Sequence, residues 1–127
     1  MATILVVEDQ PDNLKLLATL LTLRGHRVIG LATGDEVAAT VRRERPALVL
    51  LDIQLPGRDG FAVLEELQGL PPEERPPKVV ALTAHAMPED RARAVAAGFD
   101  DYITKPIDVR TFPQQVAALL GNPGAAS

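Results

Sequence analysis

The chain has 127 residues, a length that suits one compact domain, and 13 basic against 17 acidic residues give it a formal net charge of −4. This charge offers no electrostatic match to a nucleic-acid backbone, so we expect no direct binding to DNA or RNA. Cysteine is absent, which excludes disulfide bonds, thiolate metal sites and thiol-based catalysis. Apolar residues make up 46% of the chain but aromatic residues only 3%, so the predicted core is aliphatic.

The beginning of the chain lacks the basic region and the long apolar region of a signal peptide. No apolar run approaches the roughly 20 residues of a membrane-spanning helix. We therefore expect a cytoplasmic protein that makes no contact with a membrane.

Short apolar segments rich in β-branched residues alternate with helical patterns along the chain. Several segments are apolar throughout, which is typical of strands in a parallel sheet that helices cover on both faces. The predicted strands are Thr3–Val7, Arg27–Leu31, Ala47–Leu51, Lys78–Leu82 and Phe99–Ile103. Apolar residues at helical spacing mark the helices: Leu14, Leu17, Ala18 and Leu21; Val37, Ala38 and Val41; Phe61, Leu64 and Leu67; Ala92, Val95 and Ala96; and Phe112, Val116, Leu119 and Leu120.

Strict alternation of strand and helix predicts an α/β fold of the flavodoxin-like, doubly wound (βα)5 type, with a five-stranded parallel sheet in the order 2-1-3-4-5. We assign residues 1–120 to this domain and residues 121–127 to a flexible C-terminal tail. The proline-rich segment 69–77 is interpreted as a stiff surface connector, with a docking site as the alternative. Pro113 is expected to disturb the first turn of the last helix.

Polar side chains lie at the ends of four predicted strands: Glu8 and Asp9 after the first, Asp52 at the third, Thr83 after the fourth and Lys105 after the fifth. These strands are neighbours in the predicted order, so their carboxyl ends should meet in one crevice. Clustered carboxylates raise one another's pKa unless a cation offsets their charge, and Mg²⁺ suits carboxylate and phosphate oxygens. Asp52 is the candidate nucleophile because it ends an apolar strand, and Lys105 would suit a transferred phosphoryl group.

Taken singly, each of these residues has an ordinary interpretation. Glu8 and Asp9 would also suit exposed positions before a helix, and Lys105 would suit solvent. The coincidence of all of them at adjacent strand ends favours the site. Further polar residues are interpreted as helix-end or turn acids (Asp12, Asp35, Asp59 and Asp108) and as a surface histidine (His26).

The same residues form motifs that resemble the receiver domains of two-component response regulators. The motifs are Val7-Glu8-Asp9, the segment 52–60 that begins at Asp52, Thr83-Ala84 and Lys105-Pro106, in the right order and after the right strands. The resemblance covers nearly the whole chain. It implies Mg²⁺-dependent phosphoryl transfer to Asp52 from a histidine of a histidine kinase or of a histidine phosphotransfer protein.

The resemblance also implies a role for each residue of the crevice. Asp9 and Asp52 would bind Mg²⁺ directly, Glu8 would act largely through water, and the backbone carbonyl of Gln54 would complete the protein ligands. Lys105 would pair with the carboxylate of Asp52 and later with a phosphoryl oxygen.

The resemblance also implies roles for residues around this centre. The hydroxyl of Thr83 and the amide of Ala84 would contact phosphoryl oxygens. Tyr102 would be a mobile aromatic switch, with a half-buried strand residue as the alternative. The peptide bond before Pro106 is expected to be cis, since an X-Pro bond adopts this form at a cost of only about 0.5–1 kcal/mol. His85, like Gln54, would overlook the site and set the lifetime of the acyl phosphate.

Phosphorylation would matter only if it changed a surface. We expect the hydroxyl of Thr83 to turn towards the phosphoryl group and the ring of Tyr102 to move inward. A downstream protein would then bind the surface of the fourth helix, fifth strand and fifth helix.

Other function classes fit less well. An aspartate-nucleophile phosphatase needs a second acid two residues after the nucleophile, where this chain has Gln54. A flavodoxin-like cofactor binder would need a glycine-rich phosphate loop and more aromatic surface. A receiver-like interaction module that works without phosphorylation is the remaining alternative, although such a module should lack an acid or the lysine. We expect a signalling domain rather than an enzyme, with catalysis limited to accepting and slowly hydrolysing its own phosphoryl group.

Overall fold

The computed structural model describes residues 2–55, 57, 59–84 and 87–121 of the chain. The strands are β1 (Thr3–Val7), β2 (Arg27–Leu31), β3 (Leu48–Asp52), β4 (Val79–Thr83) and β5 (Asp101–Thr104). The helices are α1 (Pro11–Thr22), α2 (Val37–Glu44), α3 (Gly60–Gln68), α4 (Pro88–Ala97) and α5 (Phe112–Leu119), and a 3₁₀ turn spans Pro72–Glu74. The strands form one parallel sheet in the order β2-β1-β3-β4-β5, so the predicted fold class and strand order are confirmed.

Alternate residues of the central strands build two separate cores, one on each face of the sheet. Ile4 and Leu50 belong to the core beneath α1 and α5, together with Leu17 and Phe112. Leu5, Val7, Leu51 and Ala81 belong to the other core, beneath α2, α3 and α4. We call these the α1/α5 face and the α2–α4 face.

Three predicted strands, the third, fourth and fifth, end one residue too early. The strands β3 and β4 continue through Asp52 and Thr83, whose backbones pair with Leu82 and Thr104 in the parallel ladder. Hydropathy ends the strands before these polar side chains, whereas the backbone ladder does not depend on side-chain polarity. Both site residues are therefore fixed by a strand rather than by a loop.

The buried face of α4 differs from the prediction. Ala92, Val95 and Ala96 are exposed, Val95 to 55%, and Ala94 is the buried residue of this helix. Alanine occurs on every side of the helix, so the spacing of apolar residues does not identify the packed side. The helix does end at Gly98, as expected, with a left-handed backbone (φ 116°).

Pro113 does not disturb α5. It lies in the first turn, where its missing N–H would have no partner inside the helix, and its ring is buried. The proline-rich segment is largely exposed, as predicted, and contains the 3₁₀ turn. Most of the predicted tail, residues 122–127, lies outside the described residues.

Within the described ranges, no helix combines the length and the apolar character that a membrane crossing requires.

Candidate functional site

The acidic residues Glu8, Asp9 and Asp52 meet at the carboxyl end of the sheet. One carboxylate oxygen from each lies within 4.8 Å of the others. Glu8 is fully buried, Asp52 is 2% exposed and Asp9 is partly exposed. The structure therefore brings together the predicted acids at an opening where two of them have lost almost all contact with solvent.

Strand periodicity places these acids. Glu8 follows Ile4 and Val6 in steps of two, and Asp52 follows Leu50, so both continue the α1/α5 face. Val7 lies opposite Leu51 in the ladder between β1 and β3, which sets the two acids side by side.

Lys105 forms ion pairs with both buried acids, Glu8 and Asp52. Its Nζ lies 2.7 Å from Oε1 of Glu8 and 2.8 Å from Oδ2 of Asp52. Its backbone N–H donates to the carbonyl of Thr83 at 2.7 Å, which anchors the residue at the end of β5. The Lys105–Pro106 peptide bond is cis, as predicted.

The pKa values of this group follow from burial and mutual contact. Burial raises the pKa of Glu8, and the ammonium of Lys105 only partly opposes this. Burial by itself would lower the pKa of Lys105, but hydrogen bonds to Asp52 and Glu8 outweigh it and the net pKa is raised. Lys105 is therefore a firmly protonated cation at neutral pH, whereas Glu8 holds its charge at a cost.

The donor set suits a hard divalent cation. Oε1 of Glu8 is buried and lies 2.7 Å from the ammonium of Lys105. Oδ1 of Asp52 accepts the N–H of Gln54 at 2.8 Å. Carboxylate oxygens clustered in this way fit an oxygen-seeking ion such as Mg²⁺.

Thr83 and Ala84 lie at the end of β4, beside the acids. Thr83 is 1% exposed and follows Val79 and Ala81, so its side chain belongs to the α2–α4 face. Ala84 is exposed and lines a groove of about 290 Å³ with Glu8, Lys105 and Pro106. His85 lies outside the described residues.

Tyr102 is half-buried on β5 and packs against the core of the α2–α4 face. It lines a small cavity of about 40 Å³ with Thr83, Ile53 and Phe61. Its hydroxyl is buried without a hydrogen-bond partner among the described residues, and burial raises its pKa. The ring therefore already lies against the core in this structure, next to Thr83, the residue that we expect to act on it.

Sequence reasoning missed two contributors to the site. Gly60 packs against the end of β3, where a Cβ would lie 2.6 Å from Cα of Ile53. Asn13 lines the groove beside Glu8 and Lys105. Its position four residues after Asp9, in the first turn of α1, was the available signal.

The four acids interpreted as helix-end or turn residues lie at such positions, Asp12 in the first turn of α1 and Asp35 in the turn before α2. Asp59 accepts the N–H of Ala62 and caps α3, and Asp108 accepts the N–H of Arg110. His26 is half-buried rather than a surface residue, because its Nδ1 accepts the backbone N–H of Ala2 at 3.2 Å.

Curated relatives share the sequence over most of the chain. An uncharacterized 14.6 kDa protein of Leptolyngbya boryana is 41% identical over 105 residues, which cover 83% of this chain and 79% of that protein. The sensor protein GacS of Pseudomonas syringae pv. syringae is 38% identical over 120 residues, which cover 93% of this chain but only 13% of the relative. The chain thus corresponds to a small part of that sensor protein.

Solved structures share the fold. The receiver domain of sensor histidine kinase PA1611 from Pseudomonas aeruginosa PAO1 superimposes with a TM-score of 0.84 at 30% identity, covering 95% of this chain and 98% of that one. That crystal structure has a magnesium ion coordinated in its active site cleft.

Residues 4–117 match the family model of the response regulator receiver domain. Receiver domains work in two-component signal transduction, where they interact with histidine kinases and downstream targets and generally signal rather than catalyse. Since the match spans nearly the whole described chain and includes both cores and the acidic crevice, this protein belongs to the response regulator receiver domain family.

Proposed function

We propose that this chain accepts a phosphoryl group on Asp52, in a Mg²⁺-dependent reaction, from the histidine of a histidine kinase or histidine phosphotransfer protein. One observation carries the proposal: a buried carboxylate at a strand end is held 2.8 Å from a lysine ammonium and lies beside two further acids. We further propose that one receiver domain fills residues 1–120 and that the protein acts in the cytoplasm, without binding nucleic acid or membrane directly.

The chemistry requires a nucleophile and compensation of negative charge. A carboxylate oxygen of Asp52 attacks phosphorus, the bond from phosphorus to the donor imidazole nitrogen breaks, and an acyl phosphate forms. Lys105, whose raised pKa keeps it cationic, exchanges its contact with Asp52 for one with a phosphoryl oxygen.

Mg²⁺ would offset the repulsion between the acids and the incoming phosphoryl oxygens. Asp9, Asp52 and the carbonyl of Gln54 would hold it, with Glu8 acting largely through water. The grouping of carboxylate oxygens from Glu8, Asp9 and Asp52 within 4.8 Å of one another supports this assignment. The magnesium ion of the PA1611 receiver domain supports it by similarity.

Thr83 and Ala84 would receive the remaining phosphoryl oxygens through a hydroxyl and an amide. Gln54, which is exposed next to the nucleophile, and His85 would affect the water that hydrolyses the acyl phosphate and so set its lifetime.

Thr83 would also report phosphorylation to Tyr102, because both side chains line the same small cavity. A movement of Tyr102 would alter the surface of α4, β5 and α5. That surface carries a groove of about 490 Å³ whose lining includes Arg91, Tyr102, Pro106 and Gln115. A downstream protein would bind there.

Intact mass spectrometry after incubation with Mg²⁺ and acetyl phosphate tests the proposal. We expect one added phosphoryl group on the wild-type chain and none on Asp52→Asn. Asp59→Asn is the matched control, because Asp59 is a nearby acid that caps α3 and asparagine caps equally well. Phosphorylation of Asp52→Asn, or loss of phosphorylation in Asp59→Asn alone, would contradict the assignment.

The metal is tested in the same assay. A chelator should abolish the mass increase, and Asp9→Asn should weaken Mg²⁺ binding and phosphorylation together. Wild-type phosphorylation at full rate in chelator would refute the role of Mg²⁺, and it would leave Asp52 as a nucleophile that needs only Lys105.

A further inference from the structure

The end of the sheet opposite Asp52 has a groove that phosphoryl transfer does not use. It lies between the end of α2 and the residues that lead into β4, and it encloses about 330 Å³. We call it the base groove; it is lined by Val41, Arg45, Pro46, Ala47, Glu73, Glu74, Arg75, Pro76 and Pro77.

Two arginines of the base groove have spare hydrogen-bonding capacity. Nη1 of Arg45 donates to the backbone carbonyl of Glu73 at 2.7 Å, and Nε of Arg75 donates to the carbonyl of Leu70 at 2.8 Å. Within the described ranges, neither guanidinium forms an ion pair with a carboxylate. Each guanidinium therefore keeps several N–H donors for a ligand.

The lining of the groove has two arginines and two glutamates, and the neighbouring Arg42 makes the local charge positive in a chain whose formal charge is −4. Arg42, beside the groove, forms an ion pair with Glu74 at 3.0 Å, so that carboxylate is already compensated. The negative charge of Glu73 then balances only one of the two positive charges of Arg45 and Arg75, so one positive charge remains.

Arg45 occupies an unusual backbone position. It follows the last residue of α2 with a left-handed backbone (φ 51°, ψ 56°), where glycine is the favoured residue. A residue with a Cβ is strained there, and such strain often accompanies a role for the side chain. The part of Arg45 that glycine cannot replace is its guanidinium.

We propose that the base groove binds an acidic segment of a partner protein, independently of the phosphorylation of Asp52. The guanidinium fork matches the two oxygens of a carboxylate, and an apolar side chain of the same segment would lie against Pro46, Pro76 and Pro77. Proline rings are already rigid, so ordering this wall on binding costs little entropy.

The position of the groove permits simultaneous occupation of both ends of the molecule. The groove lies at the amino end of β3 and Asp52 at its carboxyl end, about 16 Å away along the strand. A partner in the groove would hold the domain in place while a phosphodonor reached the crevice.

Selection of a displayed library of short random peptides against the full chain tests the proposal. We expect enriched sequences to combine acidic and apolar residues. A fluorescent copy of the most enriched peptide should bind more weakly as salt is raised, because its carboxylates pair with exposed guanidiniums. Vesicles that contain anionic lipid serve as the second probe and should not bind.

Arg45→Gly separates binding from folding. It removes the guanidinium but relieves the backbone strain, so thermal stability should stay the same or rise while peptide affinity falls about tenfold or more. Arg75→Gln should weaken binding in the same way. Lys15→Gln, an equal change in charge on the exposed side of α1, should leave binding intact, as should Asp52→Asn.

Several results would overturn the proposal: no enrichment of acidic sequences, equal affinity in Arg45→Gly, equal loss in Lys15→Gln, or binding to the vesicles instead of the peptide. The phosphorylation assay is unaffected by any of them, so the proposed function of Asp52 stands or falls separately.

Discussion

Gly60→Ala tests whether the close contact between α3 and the end of β3 holds the phosphorylation site in place. An alanine Cβ would lie 2.6 Å from Cα of Ile53 and 2.7 Å from the carbonyl oxygen of Asp52, whereas ordinary contact begins at 3.4 Å. Both are backbone atoms, so no side-chain rotation relieves the overlap. The N–H of Gly60 also donates to the carbonyl of Ile53 at 2.7 Å, which prevents α3 from moving away without losing a hydrogen bond.

The expected loss of stability follows from that geometry. Overpacking in a close-packed interior typically costs about 1–3 kcal/mol, and a clash with the backbone of a buried central strand belongs at the upper end. Alanine recovers about 0.4–1 kcal/mol by restricting the unfolded chain. We therefore expect the free energy of unfolding to fall by about 2–3 kcal/mol in urea denaturation.

The effect on phosphorylation should be larger than stability alone predicts. Relief of the overlap moves the end of β3 by several tenths of an ångström, and with it the Asp52 carboxylate that Lys105 holds at 2.8 Å. Misplacement of a reacting group by about 1 Å costs about 100-fold in rate. The rate of phosphorylation by acetyl phosphate should fall by about 10- to 100-fold under conditions in which the variant is fully folded.

Gly25→Ala is the control. Gly25 also has a positive φ (85°), but a Cβ there meets no atom within 4 Å. We expect it to lose about 1–2 kcal/mol of stability and to be phosphorylated at the wild-type rate. If Gly60→Ala is as stable as the wild type and reacts as fast, the contact between α3 and β3 does not position Asp52.

Further predictions concern single groups. Because burial raises the pKa of Glu8 above 4.5, its charge destabilises the metal-free fold at neutral pH; Glu8→Gln should therefore raise the melting temperature without Mg²⁺ and abolish the rise that Mg²⁺ gives the wild type. A lower melting temperature for the metal-free variant would show that the ion pair with Lys105 outweighs burial. Burial, with the nearby chain terminus and Arg24, lowers the pKa of His26 below 6.5, so the unfolded chain takes up a proton that the folded chain refuses. Stability should then fall as the pH drops below 6.5, and less so in His26→Gln; parallel curves from denaturant titrations would contradict this. Thr83→Ala should accept phosphate but lose most of the phosphorylation-dependent change in affinity for a target, and an unchanged difference in a pull-down titration would exclude the relay.

The sequence was sufficient to predict the fold because its apolar runs and its alternation of strand and helix patterns extend consistently along the chain. Continuous apolar runs such as residues 48–51 are typical of strands that are buried on both faces, and alternation with helices leaves few topologies. The acids of the crevice were predictable for the same reason, since their positions follow from the strands that precede them.

The errors occurred where packing, rather than local pattern, decides the outcome. Hydropathy ended β3 before Asp52, although the backbone ladder continues through it. The buried face of α4 was misassigned because alanine suits either side, and only the tertiary structure selects Ala94. The role of Gly60 depends on the distance between α3 and β3, which no spacing along the chain contains.

The residues proposed to carry out phosphorylation and those proposed to respond to it lie on opposite faces of the sheet. Glu8, Asp52 and Lys105 continue the α1/α5 face, whereas Thr83 and Tyr102 belong to the α2–α4 face. The side chain of Thr83 therefore lies on the opposite face from that of Asp52, where it lines a small cavity with Asp90 and Arg93 of α4.

Helix α4 also has the fewest buried residues of the five α-helices. Its one buried residue is Ala94, whose methyl group contributes about 0.8 kcal/mol. Arg91 lies 5.9 Å from the centre of the Tyr102 ring and Arg93 lies 4.4 Å from that of Phe61, and each contact contributes about 0.5–1 kcal/mol at an exposed position. Gln68 also donates to the carbonyl of Ala97 at 3.0 Å, and Arg91 lies 3.7 Å from Asp101. A hydrogen bond from Thr83 to a charged phosphoryl oxygen would contribute about 1.5–3 kcal/mol, which is of the same order as these contacts. We therefore propose that one new bond at the end of β4 shifts the population of α4 and of the surface beside Tyr102 from one arrangement towards another.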